Sequence, residues 1–275
     1  MSERKKNKMT LIKEIVGLSC VVIFAIYVNR VLVFYGFKRD PNLTHREMAI
    51  EHLTCQRVDP LTEEHWQYGD GLNVRGMYVG EDLIFLTSDD KIIMVDLTED
   101  LTDYQLPLFE ATKLLEYEEE PNFGAISGYQ SKDGRLIIYV YSVETKSVEK
   151  FEYNSGLNVL MWQKSFTSDS MHSVTGLHVI AEDNFYYTMS HYFPAESWLR
   201  SAEEMSMLKL GAIGLCKSGV NAQCRQISEN ELASPFDLIS KKIFDEERQI
   251  SRHFLYVSQS TSNEVAMYEI EFDFR

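Results

Sequence analysis

Glu81 and Asp82 are adjacent carboxylates in the stretch "GEDLIFLTS", residues 80–88. They stand at the mouth of an apolar run. Paired acids beside a buried strand are costly unless something neutralises them. A divalent cation would do so, and calcium takes about six to eight oxygens. Capping of backbone amides by Asp82 would also do so, because a short carboxylate at a turn accepts hydrogen bonds from the chain that follows. A calcium site and a polar turn leading into a strand are both open. Other chemistry-bearing patterns are sparse. The chain has no Gly-x-Ser-x-Gly elbow, no glycine-rich phosphate loop, no His-Glu-x-x-His and no paired Cys-x-x-Cys. His45 and His52 share a helical face and fit a surface helix better than a metal site. His172 and His178 flank an expected strand and read as structural, and "EYEEEP" (116–121) reads as a solvated loop.

The elements that would hold Glu81 and Asp82 are mostly strands. The chain has 275 residues, enough for a sizeable core in one domain or two, and Tyr and Phe are prominent. Net charge is −15, with no basic face beyond the first residues, which argues against nucleic-acid binding. "DLIFLTSDDKIIMVDL" (82–97), "RLIIYVYSVETKSVEKFEY" (135–153) and "RHFLYVSQSTSNEVAMYEIE" (252–271) share one form: an apolar run, a polar turn, an alternating strand. "EDNFYYTMSHYF" (182–193) supplies the apolar run of another unit. The unit cores fall near Phe85, Tyr139, Tyr187 and Val257. Period-two alternation makes strands, and a spacing of about 50 residues suggests propeller blades. The insertion "PAESWLRSAEEMSMLKLG" (194–211) is the exception. Trp198, Met205, Met207 and Leu208 among acids suggest a short helix laid over one face.

The start of the chain has a different character. Arg4, Lys5, Lys6, Lys8 and Lys13 face only Glu3 and Glu14 within residues 1–14, a basic cytosolic tail. Residues 15–37 are apolar except for Asn29 and Arg30. At about 1.5 Å per helical residue they are long enough for a hydrocarbon core of about 30 Å. No small-residue cleavage site follows, so a retained signal-anchor transmembrane helix is favoured over a cleaved signal peptide. Orientation by basic flank then puts everything after Phe37 in the endoplasmic reticulum lumen or outside the cell. Residues 38–70 read as a stalk and leading helix, and 71–275 as a partial propeller. Asn42, in "NLT", is a glycosylation acceptor on that side. Cys20 is a small hydrophobe in the anchor. Cys216 and Cys224, in "CKSGVNAQC", are placed to close a turn as a local disulfide, leaving Cys55 over.

At "EDNFYYTMSHYFPAESWLR" (182–200) the sequence resembles the paraoxonase family of arylesterases and lactonases, which carries "HYF" after a similar strand and then a helix. "GEDL" before the first unit, the N-terminal anchor and a cysteine near Cys55 are similar too. In character the chain is nearest to membrane-anchored nematode relatives that assist degenerin-type channels. The resemblance implies a six-bladed β-propeller with a catalytic and a structural calcium in its tunnel. Glu81 then matches the ligand of the catalytic ion, and Asp82 that of the structural ion. Ile126, in "GAIS", matches a residue whose carbonyl binds calcium, and His191 matches the histidine of "HYF". The remaining matches depart from the family. Thr175 and Gly176 stand for an asparagine–aspartate pair, Met189 and Ser190 for part of "TND", and Pro235 for an asparagine, with Asp237 out of register. The family's histidine bases match Gly124 or Phe123 and Ser142. A calcium site here would be residual. The expectation is an all-β propeller of about four recognisable blades, apparently incomplete: a truncated form of a longer product, or one whose edge a partner supplies. The expected function is non-catalytic help to another membrane protein. The alternative is a calcium-dependent arylesterase or lactonase.

Overall fold

A computed structural model describes residues 16–17, 19–29, 31–32, 74–88, 91–96, 108–111, 122–206, 208–217, 223–245, 250–259 and 264–270. Asn42, His45, His52, Cys55, the stalk and the acidic run 116–121 lie outside the described residues. Residues 19–29 are helical and expose Val21, Ile23 and Phe24. No helix among the described residues is long and apolar enough to cross a membrane.

The rest is four antiparallel sheets in chain order. Sheet I holds β1 (Gly76–Val79), β2 (Leu83–Thr87), β3 (Ile92–Asp96) and β4 (Leu108–Ala111). Sheet II holds β5 (Phe123–Gln130), β6 (Leu136–Ser142), β7 (Ser147–Asn154) and β8 (Val159–Thr167). Sheet III holds β9 (Val174–Ala181), β10 (Asn184–Met189), β11 (Ala212–Lys217) and β12 (Gln223–Gln226). Sheet IV holds β13 (Pro235–Asp245), β14 (Ile250–Gln259) and β15 (Glu264–Ile270). Each is a meander built mostly of β-branched and aromatic runs; short turns join strands such as β5 to β6 and β9 to β10, whereas residues 190–211, with the helix, connect β10 to β11. Asp183, in the two-residue turn between β9 and β10, takes a left-handed backbone (φ 60°), which Asp tolerates better than most residues.

Successive sheets pack face to face through three apolar layers. Phe85 and Met94 of sheet I meet Ile138, Val140 and Phe151 of sheet II. Tyr139, Tyr141 and Val148 of sheet II meet Phe185, Tyr187 and Met189 of sheet III. Tyr186 and Leu215 of sheet III meet Leu238, Leu255 and Val257 of sheet IV. The first strands β1, β5, β9 and β13 are successive neighbours. The arrangement is propeller-like, and no closed ring is seen among the described residues.

The four unit centres fall on the second strand of each sheet, but not on one face. Phe85 and Tyr139 face the following sheet, whereas Tyr187 and Val257 face the preceding one. A slip of one residue along a strand flips the face, and a repeat read by apolar content does not fix that register. The insertion is a helix, Trp198–Ser206. It does not dock through its tryptophan: Trp198 is 78% exposed and Glu203 is 3% exposed. The Glu203 carboxylate accepts the backbone N–H groups of Tyr192 (3.1 Å) and Phe193 (3.2 Å), so the helix is tied down by charge-assisted hydrogen bonds. Cys216 and Cys224 face each other across β11 and β12 and form a disulfide. His178 sits within β9 rather than beside it, with Nε2 2.9 Å from Ser240 Oγ of β13.

Candidate functional site

Glu81 and Asp82 form the turn between β1 and β2, closed by Gly80 N–H donating to the Leu83 carbonyl at 2.8 Å. Both are exposed. The neighbouring Tyr78 hydroxyl is raised by burial first and by the Glu81 charge second. Ile126 is buried on β5 opposite Val140, with its side chain beneath Gly76. Phe123 and Ser142, two of the positions matched to histidine bases, are brought together as a pair across β5 and β6 and are both buried. Neither carries a group that titrates near neutral pH.

The sites matched to the other ligands lie in the packing seams between sheets. On the seam of sheets I and II, Thr87 Oγ1 donates to the Gly124 carbonyl at 2.6 Å. On the seam of sheets III and IV, Thr175 Oγ1 donates to the Pro235 carbonyl at 2.6 Å and lies 3.1 Å from Thr188 Oγ1. A Cβ on Gly176 would fall 2.8 Å from both the Phe236 carbonyl oxygen and Asp237 Cα. At 176 there is therefore neither a side chain nor a space for the family's carboxylate, and the one side-chain oxygen at 175 is already engaged. Thr175 and Pro235 spend their polar atoms on each other.

His191 is half-buried at the foot of the helix. Its Nδ1 is 2.7 Å from Ser190 Oγ, and its Nε2 is 3.6 Å from a Glu204 oxygen. Burial lowers its pKa, helped by Arg200, while Glu203 and Glu204 oppose the shift. The shift favours the neutral ring, which lies between Ser190 and Glu204. Calcium coordination would need Glu81, Asp82, the Ile126 carbonyl and more oxygens to converge. Among the described residues no three His, Cys, Asp or Glu side chains group to hold a metal. Two exposed turn carboxylates and closed seams do not fit the family's ion.

Several charged residues of sheets II and III are buried or engaged with partners inside the fold. On β7, Glu149 is 3% exposed and accepts from Ser147 Oγ (2.6 Å), Ser165 Oγ (2.6 Å) and Trp162 Nε1 (2.7 Å). Its neighbour Lys150 is 6% exposed and reaches Glu182 (2.7 Å) and Asp183 (2.9 Å) in the β9–β10 turn. Lys164 adds a bond to Asp183 at 2.6 Å, and Tyr139 hydroxyl accepts the Asp183 N–H at 2.9 Å. Burial works against the Lys150 ammonium, but Glu182 and Asp183 raise it above its ordinary value. Asp183 is also opposed by burial and is lowered by Lys164 and Lys150. Nothing in the one-dimensional pattern marks these groups as partners.

A cleft of about 1120 Å³ opens between sheets II and III, at the end where the β8–β9 turn meets the segment after β10. His172, His191, Tyr192, Phe193 and Arg225 lie on its wall.

The arylesterase family profile matches residues 61–274. A search of curated protein sequences finds no match. Solved structures with a related trace include the computationally designed Ika4 protein, at 11% identity and TM-score 0.37 over 74% of this chain and 94% of that one. An exo-1,5-α-L-arabinanase from a bovine ruminal metagenomic library matches at 7% identity and TM-score 0.38, over 72% and 73%. AofleA from Arthrobotrys oligospora matches at 10% identity and TM-score 0.40, over 72% of this chain and 52% of that one. The match over residues 61–274 takes in sheets I to IV, and the chain belongs to the arylesterase family.

Proposed function

We propose that this chain is a membrane-anchored arylesterase-family protein that assists the folding, assembly or activity of another membrane protein, such as a degenerin-type channel, rather than hydrolysing esters. One observation carries the reading. Where the family would place metal oxygens, Thr175 donates to the Pro235 carbonyl and Gly176 packs against Phe236 and Asp237 backbone. A hydrolase of this kind needs a metal to polarise the carbonyl and stabilise the developing oxyanion, and it needs a base. Glu81 is at an exposed turn, and the base positions hold Phe123, Gly124 and Ser142. The apolar segment 15–37 and the basic residues before it support an anchor with the β-domain in the endoplasmic reticulum lumen or outside the cell.

The second reading is calcium-dependent hydrolysis of aryl esters or lactones, and family membership is the observation that favours it. The two separate cleanly. The full chain, purified from membranes, is assayed on phenyl acetate and an aliphatic lactone in millimolar calcium. No turnover above the Glu81→Gln variant is expected. In parallel, coexpression with a degenerin-type channel subunit should raise the surface-labelled channel severalfold. Turnover that chelation abolishes and Glu81→Gln lacks would replace the first reading with the second.

A further inference from the structure

We propose that the outer face of sheet IV binds the same face of a second copy of this chain, as a two-fold pair of stacked sheets. This stands apart from the function proposed above, since it concerns the face turned away from the Thr175–Pro235 seam. Successive residues of a strand point to opposite sides. Leu238, Leu255 and Val257 face sheet III, so their neighbours point outward, and the register sets those neighbours in rows. Ile239, Tyr256 and Met267 form the middle row. Lys241, Phe254 and Glu269 lie to one side of it, and Asp237, Ser258 and Val265 to the other. Ile239 is 60% exposed, Val265 65% and Met267 51%. Clustered apolar side chains of this kind on a sheet face mark a docking surface. Stacking sheets face to face is already how this chain buries such surface, three times over.

Charge selects a second copy as the occupant. The chain has a net charge of −15, yet on this face Asp237 and Glu269 are balanced by Lys241 and Arg252. Arg252 pairs with Glu269 at 2.8 Å and lies over the Phe254 ring. Lys241 and Asp237 remain, both exposed, with no ion-pair partner among the described residues. They stand four residues apart on β13, about 13 Å along an extended strand, too far to pair with each other. A two-fold axis along the row of Ile239, Tyr256 and Met267 lays the Lys241 row of one copy over the Asp237 row of the other. Each Lys241 then meets Asp237 of the second copy, which gives two equivalent ion pairs, as an isologous contact requires. The middle rows meet their own counterparts, and Glu269 falls over Val265, so no like charges are opposed. A uniformly acidic or basic partner would oppose one of the two remaining charges.

The test measures energy transfer between donor-tagged and acceptor-tagged full chains in proteoliposomes over a range of protein-to-lipid ratios. Transfer should saturate with density, and untagged parent should compete it away. Met267→Glu sets two carboxylates on the axis and should weaken pairing about tenfold. Lys241→Glu and Asp237→Lys should each weaken it several fold, since each opposes like charges at both ion pairs. Donor-tagged Lys241→Glu mixed with acceptor-tagged Asp237→Lys should pair about as well as the parent, because both contacts then join opposite charges. All three positions are exposed, so the variants should melt with the parent. Absence of saturable transfer in the folded parent would overturn the assignment. So would saturable transfer that Met267→Glu leaves unchanged, which would place the contact elsewhere in the chain, or a mixture that pairs no better than either variant alone.

Discussion

Two seams of the molecule do the same job by different means. Between sheets III and IV the chain uses close approach: Gly176 lets the β13 backbone in, and Thr175 fastens it through the Pro235 carbonyl. Between sheets II and III it uses charge: Lys150 reaches across to Glu182 and Asp183, with Lys164 alongside. The first seam is tight and neutral, and leaves no room for a ligand. The second holds carboxylates, but each is already matched by an ammonium. A charge spent on a seam is not available to a metal. Among the described residues Glu149, Asp183 and Glu203 are buried or partly buried and bonded within the chain, while Glu81 and Asp82 are exposed.

The largest effect is expected where the neutral seam is forced open. Gly176→Asp would restore a family-type side chain, but its Cβ would fall 2.8 Å from two backbone atoms. Overpacking of this kind should cost about 3 kcal/mol, read from the midpoint of chemical denaturation. An unchanged midpoint would show that the seam yields and could readmit a ligand. Next is the charged seam. Lys150→Met removes a buried ammonium and leaves Glu182 and Asp183 short of one partner. Asp183 keeps Lys164 and Glu182 is partly exposed, so the loss should be about 2 kcal/mol, below that of a fully buried pair. Adding Asp183→Asn should recover part of it, and a double-mutant cycle showing no coupling would remove the network from the account.

The same network sets a pH dependence whose sign follows from the shifts. The pKa values of Asp183 and Glu182 are lowered on folding. Their contribution is present above the ordinary carboxylate range, about pH 4, and is lost as pH falls through the lower folded values. Lys150 is raised, so its contribution is intact below about pH 10.4 and is lost above it. Thermal melts of Asp183→Asn should therefore show a shallower acid loss than the parent. The smallest effect is Thr175→Val, which removes one seam hydrogen bond at nearly constant volume and should cost about 1 kcal/mol.

The fold was legible where periodicity carries it. Strands through Phe85, Tyr139, Tyr187 and Val257 were readable because apolar runs bounded by polar turns have few other homes. Their faces were not, because the signal has period two and a one-residue slip leaves composition unchanged. The Cys216–Cys224 disulfide was legible from a short polar loop between two cysteines. Trp198 misled, since an aromatic residue in an amphipathic stretch reads as an anchor while the helix is in fact held by Glu203. At the candidate site the sequence showed which family residues are replaced. It did not show that the replacements seal the seam, because the Thr175–Pro235 bond spans sixty residues and depends on how two sheets meet.

Calcium titration of the full chain tests the central claim most directly. Calorimetry at constant ionic strength, on the parent and on Glu81→Gln, reads whether Glu81 and Asp82 still belong to a metal site. Closed seams and exposed turn carboxylates predict no saturable binding below about 10⁻³ M, the weak end of extracellular calcium sites, and no difference between the two proteins. A saturable isotherm in the micromolar range that Glu81→Gln abolishes would contradict the account.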